Sequence, residues 1–154
     1  MKKNTLLIGS ILLLSISNIC AQTTDKIGRI PLLAARAISK KYPEMSDAVW
    51  KKQDTLFIVE FKNDGTKTRS LFDLQGNLLE TQVFTKVKKL PEPVKATLKI
   101  QYKEYDTEES YTIETISKEV FYRGVLEKDS VILDLRMDNG GKVLNTRRSI
   151  KVKS

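Results

Sequence analysis

Two segments of the chain carry apolar residues at the three- and four-residue spacing of an amphipathic helix. The first runs from Pro31 to about Tyr42, and the second from Pro91 to about Tyr102. Each opens with a proline, which suits the first turn of a helix because its missing N–H would have no partner there. The pattern predicts two helices of similar length, 60 residues apart.

After each predicted helix, polar and apolar residues alternate with the period of a half-buried strand. Phe57, Val59 and Phe61 fall on one face of such a strand, and the residues between them fall on the other. Turn sequences rich in Asn, Asp and Gly interrupt the alternation, for example at 63–65 and 139–141. Each helix is therefore predicted to precede about four antiparallel strands joined by hairpins.

The two halves of the chain repeat each other. Residues 55–81 align without gaps to residues 120–146 at an offset of 65, whereas the helices align at 60. The second copy thus carries five extra residues, which we place around 106–110. We expect an α+β fold in which two α-β-β-β-β repeats, about 28–85 and 88–154, form one antiparallel sheet with both helices on one face. The other face would be open to solvent or a partner.

The N-terminal residues have the pattern of a cleavable secretory signal. Lys2 and Lys3 precede an apolar run over residues 6–16, and the small Ala21 offers a cleavage site. The run is shorter than the roughly 20 residues that a membrane-spanning helix needs. The sequence predicts a signal peptide over residues 1–21 and a single mature domain over 22–154, periplasmic or secreted, without a transmembrane span.

The predicted signal contains the only cysteine of the chain, and the sequence has no histidine. Cys20 could instead carry the lipid of a lipoprotein, an alternative that the bulky Ile19 before it disfavours. Cleavage after Ala21 leaves no residue for a Ser-His-Asp or Cys-His site, a thiol redox pair or the usual zinc sites. The protein is predicted not to be an enzyme and to hold no cofactor or metal, although a carboxylate pair or a Ser-Lys dyad is formally open.

Positive charge is spread along the mature chain. Removing Lys2 and Lys3 from 27 basic residues, against 19 acidic ones, leaves a net charge of +6. The lysines alternate with acids, and the densest basic cluster, 86–89, is most simply a linker between the halves. No base-stacking or groove-reading motif accompanies the charge, so we predict no nucleic-acid partner.

Short motifs of the first repeat resemble those of the secreted PepSY-like domains, which are also similar to the β-lactamase-inhibitor fold. They are Ile30-Pro31 through Lys41-Tyr42-Pro43, Ala48-Val49-Trp50-Lys51, Phe57-Ile58-Val59-Glu60-Phe61, Phe72-Asp73-Leu74-Gln75-Gly76 and Leu79-Glu80-Thr81. The second repeat departs from them, with Lys103 in place of the motif's proline and no tryptophan. The resemblance implies the fold, and a periplasmic or secreted protein without known catalytic residues that binds or inhibits other proteins.

Some residues are candidates for contact with a partner: Trp50, Tyr105, Glu108, Glu109, Tyr111 and Tyr122. An indole often anchors an interface, but the strand position of Trp50 favours a core role. The tyrosines of the second half could line the open sheet face. The two glutamates belong to the acidic segment 104–109, interpreted as a solvated loop that would be the first place to look if a partner has a basic groove.

These observations lead to two hypotheses of function. The first is a non-enzymatic module that binds or inhibits another envelope or secreted protein through the open sheet face. The alternative is a carrier that holds a small apolar or anionic molecule between the sheet and the helices.

Overall fold

The computed structural model describes residues 29–151, so the predicted signal peptide, its cleavage site and Cys20 lie outside the described residues. The helices are α1 (Leu32–Lys41) and α2 (Glu92–Gln101), and a 3-10 turn covers Val87–Lys89. The strands of the first half are β1 (Ser46–Gln53), β2 (Leu56–Asn63), β3 (Thr66–Phe72) and β4 (Leu78–Phe84). Those of the second half are β5 (Asp106–Thr115), β6 (Val120–Lys128), β7 (Val131–Met137) and β8 (Val143–Ile150).

These strands form one antiparallel sheet whose spatial order is the chain order, β1 to β8. Each half therefore consists of one helix and a four-stranded meander, as predicted. The halves join where β4 pairs with β5, between the register pairs Glu80–Thr115 and Phe84–Tyr111. Within the described range, neither helix is long and apolar enough to cross a membrane.

Both helices pack on the same face of the sheet, each over its own half. In the first half, α1 buries Ala34 and Ile38 against the strand residues Phe57, Val59, Phe61 and Phe72. In the second half, Val94 and Leu98 of α2 pack against Tyr122, Leu126, Leu133, Leu135 and Met137. The facing predicted for β2 is confirmed, because Phe57, Val59 and Phe61 belong to the core under α1, whereas Ile58, although only 3% exposed, lies on the opposite face.

The extra residues of the second repeat lie in a different place from the one predicted. Residues 106–110 begin β5 just as residues 46–50 begin β1, and both strands carry a register shift near that end. The five residues are found further along instead: β5 has 10 residues against 8 in β1, the turn has four (116–119) against two (54–55), and β6 has 9 against 8 in β2. Alternation explains the difference: Tyr111 and Ile113 are each 1% exposed, and burying them draws the acidic segment into the sheet from residue 106 onwards.

An Asp-x-x-Gly turn closes the last hairpin of each half against the start of that half's helix. Asp73 Oδ1 accepts hydrogen bonds from the backbone N–H groups of Gln75 and Asn77, at 2.9 and 2.8 Å. Asp138 Oδ1 accepts the equivalent bonds from residues 140 and 142. The recurring Asp and Gly of the two repeats therefore shape turns that dock on helices.

The Asp73 turn predicts a stability difference that depends on pH. The side-chain amide of Asn77, and next its backbone N–H, lower the pKa of Asp73 below its ordinary value of 3.8. A lowered folded-state pKa adds stability above the ordinary pKa, and that stability is lost as the pH falls through the folded-state pKa. We expect Asp73→Ala to lower the free energy of unfolding at pH 7 by urea denaturation, and the loss to shrink below about pH 4.

Asp73→Asn is the matched control, because it keeps an acceptor oxygen but cannot titrate. The difference between the two variants should not change with pH. A gap between wild type and Asp73→Ala that is the same at pH 7 and at about pH 2.5 would contradict the assignment.

Candidate functional site

The sheet face opposite the helices carries a concavity of about 480 Å³. Residues from distant strands line it together, including Leu56 of β2 and Arg147 of β8. Neighbouring strands lie about 4.8 Å apart, so a flat sheet would place β2 and β8 roughly 29 Å from each other. Lining one concavity from both therefore requires a strongly curved sheet with the open face on its inner side.

The lining combines aliphatic and charged side chains; we call it the concave face. Its aliphatic members are Leu56, Ile58, Leu71, Ile113, Val125 and Ile132. Its charged members are Arg69, Arg123, Arg136, Arg147, Asp54 and Asp134, and its neutral polar members are Gln53, Asn145 and Ser149. Such a surface offers apolar area for burial and guanidinium groups for polar recognition.

The centre of the concave face is held by an ion pair between β6 and β7. Arg123 Nε and Nη2 donate to the two carboxylate oxygens of Asp134, both at 2.7 Å, and only 15% of the arginine side chain is exposed. The same guanidinium lies 5.2 Å from the ring centroid of Tyr111 and donates through Nη1 to Gln82 Oε1 at 3.3 Å. A bidentate pair of this kind fixes both side chains and uses both oxygens of the aspartate.

Two further hydrogen bonds link this ion pair, through Gln82, to Glu80 on β4 and Arg136 on β7. Gln82 Nε2 donates to Glu80 Oε1, and Glu80 Oε2 accepts from Arg136 Nη1 at 2.6 Å. Arg136 also lies over the ring of Phe121, 4.4 Å from its centroid. Two of the arginines at the concave face thus have a carboxylate partner within the chain.

Arg69 of β3 is poorly compensated. Its side chain is only 14% exposed, and its Nε is buried without a hydrogen-bond partner among the described residues. The nearest carboxylate oxygen, Glu60 Oε1, is 3.9 Å away, and the other oxygen of Glu60 binds Lys51. Burial, and next the guanidinium of Arg123, lower the pKa of Arg69. A cation desolvated without full pairing raises the energy of the folded state.

Arg147 of β8 has a different environment. Its register partner on β7 is Asp134, whose two oxygens are already taken by Arg123. Arg147 is exposed, and no described carboxylate forms an ion pair with it. The concave face therefore presents one solvated guanidinium and one buried guanidinium without full partners.

The candidate residues from the sequence do not form one cluster. Tyr111 and Glu109 lie on the same sheet face as the concavity, where the tyrosine hydroxyl donates to Glu109 Oε2 at 2.6 Å and Lys67 also pairs with that glutamate. Tyr111 is nevertheless only 1% exposed, beneath Arg123 and Lys67. Glu108 is exposed at the register shift of β5.

The other candidates belong to the helix side. Trp50 is half-buried and packs on Phe72 with ring centroids 5.8 Å apart, and Tyr122 is 9% exposed in the core under α2. Tyr105 packs edge-to-face on Tyr102 at 6.3 Å. The position of Trp50 matches the core role that its strand position favoured. Tyr105 and Tyr122 do not lie on the open face on which we expected them: Tyr105 packs against the core under α2, and the register of β6 turns Tyr122 toward that helix.

A smaller depression of about 360 Å³ lies beside α2. It is lined by Val87, Lys95, Leu98, Lys99, Tyr102, Lys103, Tyr105 and Thr107. Within residues 29–151, no group of three or more His, Cys, Asp or Glu side chains is arranged to hold a metal ion.

The sequence reasoning missed the arginines of the concave face, although the repeat contains a signal for them. At the offset of 65, Arg123 aligns with Ile58, Arg136 with Leu71 and Arg147 with Gln82. Ile58 alternates with residues already assigned to the core, which places it, and Arg123 at the matching position of the second repeat, on the opposite sheet face. The other arginines are assigned to that face only once the pairing of β2 with β3 and of β3 with β4 is known.

No family model and no curated protein sequence matches the chain. Solved structures match it by fold, among them a BLIP-like protein from Bacteroides fragilis, 20% identical, with a TM-score of 0.60 over 82% of this chain and 92% of that chain. A DUF2874 family protein from Bacteroides uniformis is 15% identical, with a TM-score of 0.65 over 78% and 90%. A predicted periplasmic protein from Bacteroides eggerthii is 16% identical, with a TM-score of 0.67 over 79% and 90%.

Identities at this level show the fold alone. They confirm the β-lactamase-inhibitor-like, or BLIP-like, sheet that the sequence motifs implied. The relationship to PepSY-like domains stays a prediction from those motifs.

Proposed function

We propose that this chain is a non-enzymatic periplasmic or secreted module that binds another envelope protein on its concave face. The observation that carries the proposal is the concavity itself, about 480 Å³, lined from β1 to β8 by aliphatic side chains and arginines. Protein interfaces typically have an apolar centre and are enriched in arginine. A rigid curved sheet also presents such a surface with little ordering cost on binding.

The proposed location rests on two observations. Residues 1–21 have the sequence pattern of an export signal. One of the proteins similar in fold is a predicted periplasmic protein, and another is a BLIP-like protein.

The proposal of a non-enzymatic role rests on the available side chains. The mature chain has neither histidine nor cysteine. A carboxylate mechanism would need acids placed to exchange protons, whereas Asp134 at the concave face is bound through both oxygens to Arg123.

The binding site can be tested with one matched pair of variants on β8. Asn145 lines the concave face, whereas the adjacent Thr146 is exposed on the opposite face. Residues 22–154 would be immobilised to capture partners from envelope extract of the source cell, and each partner's affinity would then be measured with purified proteins. We expect Asn145→Trp to weaken binding by at least roughly tenfold and Thr146→Trp to leave it unchanged.

Equal binding by the two variants would place the interaction away from the concave face. Recovery of no specific partner by a monodisperse protein would count against the binding function altogether.

A second function is supported by the depression beside α2. Three lysines and two tyrosines line its 360 Å³, which suits a small anionic molecule. Its place at the margin of the helix layer corresponds to the carrier hypothesis. Native mass spectrometry of the protein purified from its own host would show the added mass of a ligand if it is a carrier, and the mass of the chain alone if it is not.

A further inference from the structure

The charges of the concave face indicate the chemistry of its partner. The lining contains four arginines and two aspartates. Arg123 and Arg136 bind carboxylates of their own chain at 2.7 and 2.6 Å. The positive charge left for a partner therefore resides on Arg69 and Arg147, and Asp54, which forms no ion pair with another described residue, leaves a negative charge at the turn between β1 and β2.

Arg69 is only partly compensated by the chain's own contacts, chiefly by Glu60, its register partner on β2. Its Nε is buried without an acceptor, the nearest carboxylate oxygen is 3.9 Å away, and Arg123 adds a like charge nearby. A guanidinium recognises a carboxylate through two parallel hydrogen bonds. A carboxylate supplied from outside would compensate the charge of this guanidinium and oppose the like charge of Arg123.

Arg147, on β8, also lacks a carboxylate partner among the described residues. The carboxylate opposite it, Asp134, is committed to Arg123. Asp134 would therefore not compete with an incoming anion for the guanidinium group of Arg147. The concave face thus offers one guanidinium group on β3 and another on β8.

Aliphatic side chains separate these two positions. Leu71, Val125 and Ile132 are partly exposed and line the same concavity. A small inorganic anion would leave this apolar area exposed to water, whereas a peptide segment with acidic and apolar side chains would cover it.

We propose, resting on the function above, that the concave face binds an acidic segment of a partner protein. Its carboxylates bind Arg69 and Arg147, and its apolar side chains cover the aliphatic residues between them. Binding weakens as the salt concentration rises, because part of the attraction is between exposed charges.

The test uses a random twelve-residue peptide library displayed on phage, selected against immobilised residues 22–154. We expect enrichment of peptides that combine Asp or Glu with apolar residues. The most enriched peptide would be synthesised with a fluorescent label, and its affinity measured by anisotropy at low and high salt.

Two neighbouring arginines on β8 supply the matched control. Arg147 lines the concave face, and Arg148 is exposed on the opposite face. Arg147→Glu should weaken binding of the peptide by at least roughly tenfold, and Arg148→Glu, which changes the net charge equally, should not.

Arg69→Met separates a binding role from a structural one. Methionine keeps the apolar stem and removes the desolvated charge, so the urea midpoint should stay the same or rise while binding falls by at least roughly tenfold. A lower midpoint with unchanged peptide affinity would assign Arg69 to the fold and overturn the proposal.

The remaining outcomes are also decisive. Selected peptides that lack acidic residues but are weakened by Asn145→Trp would refute the acidic partner and leave the proposed function intact. Acidic peptides that bind the Asn145→Trp and Arg147→Glu variants as tightly as wild type would refute both. Displacement of the peptide by inorganic phosphate at equal concentration would show that a simple anion suffices, which would overturn the proposal.

Discussion

Replacing Gly141 with alanine is expected to lower the free energy of unfolding by about 3 kcal/mol, the sum of two causes. The backbone of Gly141 has a φ of +77°, which costs an L-residue roughly 1 kcal/mol. A Cβ at this position would also overlap the carbonyl oxygen of Pro93 and lie 2.8 Å from Thr97 Oγ1. Relieving that overlap must shift the start of α2 and strain the 2.7 Å hydrogen bond from Thr97 Oγ1 to the Gly141 carbonyl, at a cost of roughly 1–3 kcal/mol.

Gly65 supplies the control for the first cause alone. Its φ is +72°, but nothing lies within 4 Å of an added Cβ. Gly65→Ala should therefore cost only about 1 kcal/mol in urea denaturation at pH 7. Equal losses for the two variants would show that the contact between the hairpin and α2 contributes nothing.

The second large effect is expected at the concave face, where Asp134→Ala should cost about 2 kcal/mol. The substitution leaves Arg123, with 15% of its side chain exposed, without its bidentate partner and close to the charge of Arg69. Breaking a fully buried pair costs roughly 3–5 kcal/mol. The expected loss is smaller here because 32% of the Asp134 side chain is exposed to water.

A double-mutant cycle tests whether the loss comes from the stranded charge. In an Arg123→Met background, Asp134→Ala leaves no uncompensated guanidinium at position 123 and should be nearly neutral. The same loss in both backgrounds, measured by urea denaturation, would mean that Asp134 acts through other contacts.

The fold could be predicted from the sequence largely because the chain is duplicated. The prolines ahead of each helix, the alternation around Phe57 and the Asp-x-x-Gly turns are local signals, and the second copy repeated most of them at fixed offsets. The position of the extra residues could not be found in this way. A gap in an alignment does not show whether a strand or its turn is lengthened, and here burial of Tyr111 and Ile113 decided the matter.

The candidate site was harder to predict because its defining property depends on curvature. Alternation together with strand pairing assigns Arg69 and Arg147 to one sheet face, but these residues belong to β3 and β8, which a flat sheet would keep far apart. The acid that neutralises Arg136 also comes from a distant position in the chain, Glu80, whereas Asp134 pairs with Arg123 across one hairpin. Which arginines are left without a partner is therefore a property of the folded sheet.

The strict chain order of the strands has a consequence for folding. Every strand pairs only with its neighbours along the chain, so six of the seven strand pairings among the described residues close a hairpin with a short loop. The longest connection between paired strands is the one from β4 to β5, which contains α2. Closing that loop carries the largest entropic cost of any of these pairings, because loop-closure entropy grows with loop length, and it joins the two meanders into one sheet.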